Sequence, residues 1–395
     1  MVLRSDKVTA GERTRRVRKP RKSTGEYFDY NILIIVALLV IFGLIMIYST
    51  SSYNALNKYG DAYHYLKRQG IAVIGGILCM IFTIFFPLKY FIKLSEIIYY
   101  VSLVAVFLVL TPLGRSEGGA TRWIYIGPIS IQSAELVKIA IILLLASLIC
   151  KYNSALLNKW KMLLAFMIPA IVGAALILFI TNNLSSALIV LGIAFVMLFV
   201  ASPNYSKFFL VVFGGLLAVA LVVLVIVNMA NSSDGNFRVV RVLAWLDPEA
   251  YSNDTGYQIL QSLYAIGSGG IFGKGLGESM QKLGFIPESQ NDMIFSIICE
   301  ELGLCGAFML IFLFALLLWR MMLVAINTKN KAGCLVVVGV IAHIAIQVVL
   351  NIAVVTNSIP NTGISLPFIS YGGSSVLCLL IEIGLVLNVS REIKV

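Results

Sequence analysis

The stretch "FIPESQNDMIFSIICEELG", residues 285–303, sets Glu288, Asp292, Glu300 and Glu301 beside or within a strongly apolar run. An ionisable side chain at membrane depth is costly, so it faces a bundle interior or a wet cavity and marks a candidate functional site. Asp292 directly precedes "MIFSII". There it can act as a helix N-cap, as can Asn291. A carboxylate at an aqueous mouth beside apolar walls is equally suited to general-base work, because partial burial raises its pKa toward neutrality. Glu300 and Glu301 lie two turns further on, about 100° apart around a helix. At least one of them needs a partner, and a structural salt bridge or interhelical hydrogen bond is expected.

Three further groups carry chemistry. In "GGATRWIYIGPISIQSAELVK", residues 118–138, Glu135 and Lys138 are spaced to pair on one helix face. Arg122, beside Trp123, is either a membrane-interface anchor or a fixed cation for a phosphate or pyrophosphate. The glycine-rich "GSGGIFGKGLG", residues 267–277, fails as a Walker A loop: Gly275 follows Lys274 where Ser or Thr is required, and no glycine stands five residues before Gly273. What remains is a flexible turn that holds Lys274 near lipid head groups. His343, Gln347 and Asn351 recur at four-residue steps and form one polar stripe, suited to hydrogen bonding between helices. Nearby, "PNTGISLPFISYGGSS" breaks an apolar run with Pro367 and small residues, as irregular backbone at a cavity does.

The elements that must position these groups are membrane spans. The 395 residues are 59% hydrophobic and 12% charged, with mean hydropathy +0.93, whereas soluble domains carry about 25% charged residues. Ten apolar segments predict an all-α, polytopic integral membrane bundle of about ten transmembrane helices. They run roughly from 29 to 50, 70 to 87, 94 to 113, 132 to 150, 160 to 180, 184 to 201, 206 to 228, 292 to 319, 333 to 356 and 366 to 389. Residues 1–28 read as a basic, disordered tail and 29–395 as the membrane domain, with one long loop at 229–291 containing short interfacial helices. Nine of the thirty Lys and Arg lie in the first 22 residues without interleaved aromatics, which fits anionic lipid head groups and a cytosolic tail, not nucleic acid. With both termini cytosolic, tail, inner loops and C-terminus hold 20 Lys and Arg against nine outside, as the positive-inside rule requires. The six cysteines lie in or beside apolar runs, with no C-x-x-C pair, and read as small apolar fillers.

Read together, the acids and cations at the outer face suggest an anionic amphiphile handled there. Four blocks in order then carry a resemblance: "RWIYIGPISIQSAELVK" at 122–138, the stretch from "DPEAYSNDTGYQ" to "FIPESQND" at 247–292, "IFSIICEELGLCGA" at 294–307 and "NTGISLPFISYGGSS" at 361–375. Over residues 29 to 391 the chain resembles the SEDS family (shape, elongation, division and sporulation), which includes FtsW, SpoVE and RodA, and within it the FtsW/SpoVE type more than RodA. The resemblance implies a ten-span peptidoglycan glycosyltransferase that polymerises lipid II in complex with a class B penicillin-binding protein and other divisome membrane proteins. It implies a place in the bacterial cytoplasmic membrane at the division septum. It makes Asp292 the essential aspartate, as base or as ligand of a divalent cation (Mg or Mn), with no organic cofactor. It aligns Arg122, Glu135 and Lys138 with family positions, and chemistry adds Lys274 as a further substrate contact.

The chain departs from the family pattern in three places. "QND" stands where a His-Thr-Asp variant is common, "TNNLSSA" puts Asn183 where an acidic residue is usual, and "QSAE" replaces "QPSE". Two other functions remain open on the sequence: a flippase for a lipid-linked precursor, from the buried charges and broken last span, and a non-catalytic scaffold that activates a penicillin-binding protein.

Overall fold

The computed structural model describes residues 28–117, 120–126, 129–152, 159–229, 237–251 and 255–393. The basic tail expected over 1–28 lies, but for its last residue, outside the described residues. Thirteen helices appear among those described. The first seven are α1 (Tyr30–Tyr59), α2 (His64–Phe85), α3 (Leu88–Lys93), α4 (Ser95–Leu108), α5 (Ser133–Tyr152), α6 (Trp160–Thr181) and α7 (Leu184–Ala201). Then come α8 (Ser206–Met229), α9 (Phe237–Leu246), α10 (Thr255–Gly269), α11 (Ile294–Asn327), α12 (Lys331–Val355) and α13 (Gly373–Arg391). Eight of them are long and apolar enough to cross a membrane, and α4 and α8 supply two further apolar stretches. The protein is a polytopic, helical membrane bundle.

A helix is present at each expected span; α2 begins earlier, at His64, α11 runs on to Asn327, and α1 and α13 differ most tellingly in extent. α1 continues to Tyr59 through the polar "TSSYNALNKY", where Gly60 ends it in a left-handed conformation. The last span begins at Gly373 instead of 366, because residues 356–372 form an irregular connection. Phe368 there adopts φ +63°, and its carbonyl packs so closely on α1 that Gly43 leaves no room for a Cβ. The first and last helices meet at one end of the bundle: Asp29 pairs with Arg320 at 2.8 Å, and its N–H donates to Ser390. We call this the termini end and the opposite one the loop end.

α5, α12 and α13 are buried almost all round and form the centre, with α7 and α11 packed against them. Leucine, isoleucine and phenylalanine on α1, α2 and α4 face outward, as they must in hydrocarbon. The segment before α5 is not a plain loop. β1 (Gly114–Glu117), β2 (Ala120–Ile126) and β3 (Ile129–Gln132) form an antiparallel meander in the order β1-β2-β3, with Trp123 opposite Gln132. Ile124 of β2 packs on Ala105 and Val109 beside α4, which fixes the strand carrying Arg122.

α11 is broken at Gly303, whose φ of +68° and ψ of −167° are not helical. A break inside a membrane helix leaves polar backbone groups to be satisfied. The glycine-rich stretch does this. Lys274 N–H donates to Glu300 O, Gly275 N–H to Glu301 O, Leu304 N–H to Gly270 O and Cys305 N–H to Ile271 O, at 2.9–3.1 Å. The close approach needs Gly269, Gly273 and Gly303, since a Cβ on any of them would meet the opposing backbone. The role of "GSGGIFGKGLG" is therefore to strap the broken helix.

Candidate active site

Asp292 lies at the loop end, two residues before α11 begins, and is partly exposed. The N-cap residue of α11 is Met293, whose side chain makes no cap bond. The Asp292 carbonyl accepts from Asn351 Nδ2 of α12 at 2.8 Å, and the same amide donates to Ile364 O at 2.7 Å. A methyl group on Gly363 would stand 3.8 Å from Asp292 Oδ2, so the carboxyl lies over the α12–α13 connection. Gln290 O accepts from Tyr371 N–H at 2.9 Å, which ties the preceding loop to the same connection.

This setting changes the carboxyl. Burial pushes its pKa from 3.8 up to about 6, and Glu288 adds to the rise; Arg241 and the N–H groups of Asp292 and Met293 oppose it. Glu288 itself holds a left-handed backbone at φ +49° and accepts from Asn291 Nδ2 at 2.7 Å.

Arg241 carries no prior signal as a site residue, since it lies in the long loop without a recognisable motif. The signal available was "FRVVRVLAWL", whose charged and apolar residues segregate on a helix. α9 docks on the α12–α13 connection: Arg241 donates to Asn361 O at 3.1 Å and Trp245 Nε1 to Asn357 O at 3.0 Å. Burial lowers the Arg241 pKa, repulsion from Arg122 lowers it further, and Asp292 raises it. Arg122 donates from Nε to Thr181 O at 3.4 Å and from a terminal nitrogen to Asn182 O at 3.3 Å, so β2 clasps the α6–α7 junction. Burial lowers its pKa as well. Two half-buried guanidiniums near enough to repel each other, one of them within electrostatic range of a carboxylate, form a place where an anion relieves repulsion. Asn183, the departure at that junction, accepts from Ser186 N–H at 3.0 Å and caps α7.

The remaining expected residues sit elsewhere. Lys138 lies inside the bundle, 2.7 Å from Glu135 and 3.0 Å from His343 Nε2. Lys274 is bound to Glu300 at 2.6 Å and to Ser268 Oγ at 2.9 Å, at the strap. Glu301 pairs with Lys282 at 2.8 Å and accepts from Ser49 of α1, so both deep acids hold structure together. The polar stripe of α12 works as expected: Gln347 donates to Ser365 O at 3.0 Å, Asn351 binds as above, and His343 links α5 to α13 through Glu382. Glu382, a lone acid inside "CLLIEIGL", carried the same sequence signal as the other buried acids.

A divalent cation is the other role open to Asp292. Among the described residues no group of three or more His, Cys, Asp and Glu gathers, and a guanidinium lies within electrostatic range of the carboxylate. Asp292 would therefore hold such an ion only together with other ligands, such as the phosphates of a substrate.

Comparison with known proteins places this geometry. Residues 29–395 match the FtsW/RodA/SpoVE family model, described as a cell cycle protein. Stage V sporulation protein E of Bacillus subtilis is 38% identical over 373 residues, 92% of this chain and 97% of that protein. A probable peptidoglycan glycosyltransferase FtsW of Trichlorobacter lovleyi is 35% identical over 96% of both chains. Among solved structures, a chain of a peptidoglycan synthase complex that coordinates polymerization and crosslinking superposes with TM-score 0.74 at 30% identity, covering 92% of this chain and 98% of that one. The rod shape determining protein RodA of Thermus thermophilus gives TM-score 0.66 at 27% identity over 93% and 97%. With its ten apolar helices, its strapped α11 and its loop-end aspartate, the chain belongs to the FtsW/RodA/SpoVE family.

Proposed function

We propose that this chain is a peptidoglycan glycosyltransferase that polymerises lipid II at the outer face of the bacterial cytoplasmic membrane during cell division. The observation that carries the reading is a carboxyl raised to about 6 at the loop end, within electrostatic range of Arg241, which in turn is within range of Arg122. A general base works best with a pKa near the operating pH. Asp292 takes the proton of the 4-hydroxyl of one disaccharide as that oxygen bonds to the anomeric carbon of another. The anomeric C–O bond breaks, and its electron pair leaves with the polyprenyl pyrophosphate. Arg122 and Arg241 offset the charge that develops there. One base and a stabilised leaving group suffice for an inverting transfer, so Glu288 is not needed as an acid.

Glu135 and Lys138 support the site from within the bundle, because Lys138 reaches a substrate only by leaving Glu135 and His343. Lys274 serves by holding the strap to α11. The similarity to a chain of a synthase complex supports a class B penicillin-binding protein as partner, alongside other divisome proteins.

The test is polymerisation of lipid II by the purified chain with its penicillin-binding partner. Asp292→Asn is expected to lower the rate by about 100-fold or more while the complex still forms. Full polymerisation by that variant overturns the reading. The helix break at Gly303 and the irregular 356–372 connection also resemble the discontinuous helices of transporters, which favours lipid flipping as a second reading. Lipid movement in liposomes without polymer would select it.

A further inference from the structure

Four ionisable side chains meet in the bundle interior. Lys138 Nζ donates to Glu135 Oε1 at 2.7 Å and meets His343 Nε2 at 3.0 Å, while His343 Nδ1 lies 2.8 and 3.0 Å from the two oxygens of Glu382. Glu135 is 3% exposed, Lys138 1%, and His343 and Glu382 0%. The cluster joins α5, α12 and α13, and Cys378 of α13 lies within electrostatic range of it. α7, packed against α5 and α12, brings no ionisable side chain, and the two acids at the start of α11 are paired with Lys274 and Lys282.

The hydrogen bonds fix the proton count. An ammonium only donates, so His343 Nε2 accepts from Lys138, and Nδ1 must carry the proton that it gives to Glu382. A protonated imidazole would point an N–H at the ammonium. Passing the proton from Lys138 to His343 leaves the total unchanged. The cluster therefore holds two carboxylates and one cation, and a single negative charge is left over. An unbalanced charge in so dry a place is expensive.

The unsatisfied atoms nearby share one character. Glu135 Oε2, Gln347 Oε1 and Asn351 Oδ1 are buried oxygens without a hydrogen-bond partner among the described residues. The two amides are oriented by carbonyl oxygens that can only accept: Gln347 donates to Ser365, and Asn351 to Asp292 and Ile364. Their free oxygens are thus acceptors. With His343 they follow one face of α12 over about 12 Å, leading from the Asp292 loop to the charge cluster.

We propose that the Glu135–Lys138–His343–Glu382 cluster binds one alkali-metal cation at the unpartnered Glu135 carboxylate oxygen, with the α12 amide oxygens as its approach. The charge of the ligand supplies the missing unit, and hard oxygen donors are what such a cation takes. This inference is separate from the glycosyltransferase reading, since its test reads binding and not turnover.

Thermal unfolding of the purified full-length chain in detergent is followed as NaCl or KCl replaces choline chloride at constant pH and total salt. The wild type is expected to gain about 2 °C or more with at least one of the two salts. Glu135→Gln and Glu382→Gln each remove the surplus charge, and the second keeps an acceptor for His343 Nδ1–H. Both variants are expected to lose that response. A wild type equally stable in choline, Na⁺ and K⁺, or a response to Na⁺ or K⁺ retained by either variant, overturns the proposal.

Discussion

Asp292 couples activity and stability in opposite senses. As a base it must be ionised, so kcat/KM is expected to rise with pH through about 6 and level off above it. For folding the sign reverses: a carboxyl whose folded pKa is raised disfavours the ionised form. The folded state loses stability as pH climbs from about 4 to about 6, by roughly 3 kcal/mol in all. Asp292→Asn is thus expected to melt higher than wild type at pH 7.5, with the difference vanishing near pH 4. A lower melting temperature at neutral pH would contradict the burial argument. At this scale Asp292 and Arg122 were legible as ionisable residues at the ends of apolar runs. Arg241 was not, because its nearness to Asp292 depends on α9 folding back over the α12–α13 connection. Glu382 was legible by the same rule as Glu300 and Glu301, and its partner His343 stands 39 residues away in the chain.

At the scale of elements, hydropathy marked the ten apolar helices to within a few residues at most ends, since hydrocarbon demands long apolar runs. It was silent on polar elements. The loop-end part of α1 is helical because its turns continue a span already nucleated, and the meander at 114–132 depends on pairing that hydropathy does not report. The glycine-rich stretch suggested phosphate chemistry, yet its glycines serve backbone contact with α11. Gly303→Ala tests this. At φ +68°, with the Gly273 and Ile271 backbones in the path of a Cβ, it is expected to cost about 2–3 kcal/mol and to reduce polymerisation without touching Asp292. Wild-type stability in that variant would remove the strap from the account.

For the whole molecule, the distribution of Lys and Arg predicts which end faces the cytosol, and the bundle brings α1 and α13 to one end. A fluorescent protein that matures only in the cytosol is expected to light up when fused to the C-terminus. A periplasmic phosphatase inserted at Asp61, a partly exposed residue between α1 and α2, is expected to be active. The reverse pattern would place Asp292 on the wrong side for an exported lipid-linked substrate.

The four backbone bonds between residues 270–275 and 300–305 also bear on how the chain is made. Before the loop seats, the carbonyls of Glu300 and Glu301 and the amides of Leu304 and Cys305 have partners in hydrocarbon only if α11 runs straight through Gly303. The helix is therefore expected to enter the bilayer unbent and to bend afterwards. Because the loop precedes α11 in the chain, it already exists when that helix emerges from the ribosome, and this maturation step waits for no later segment.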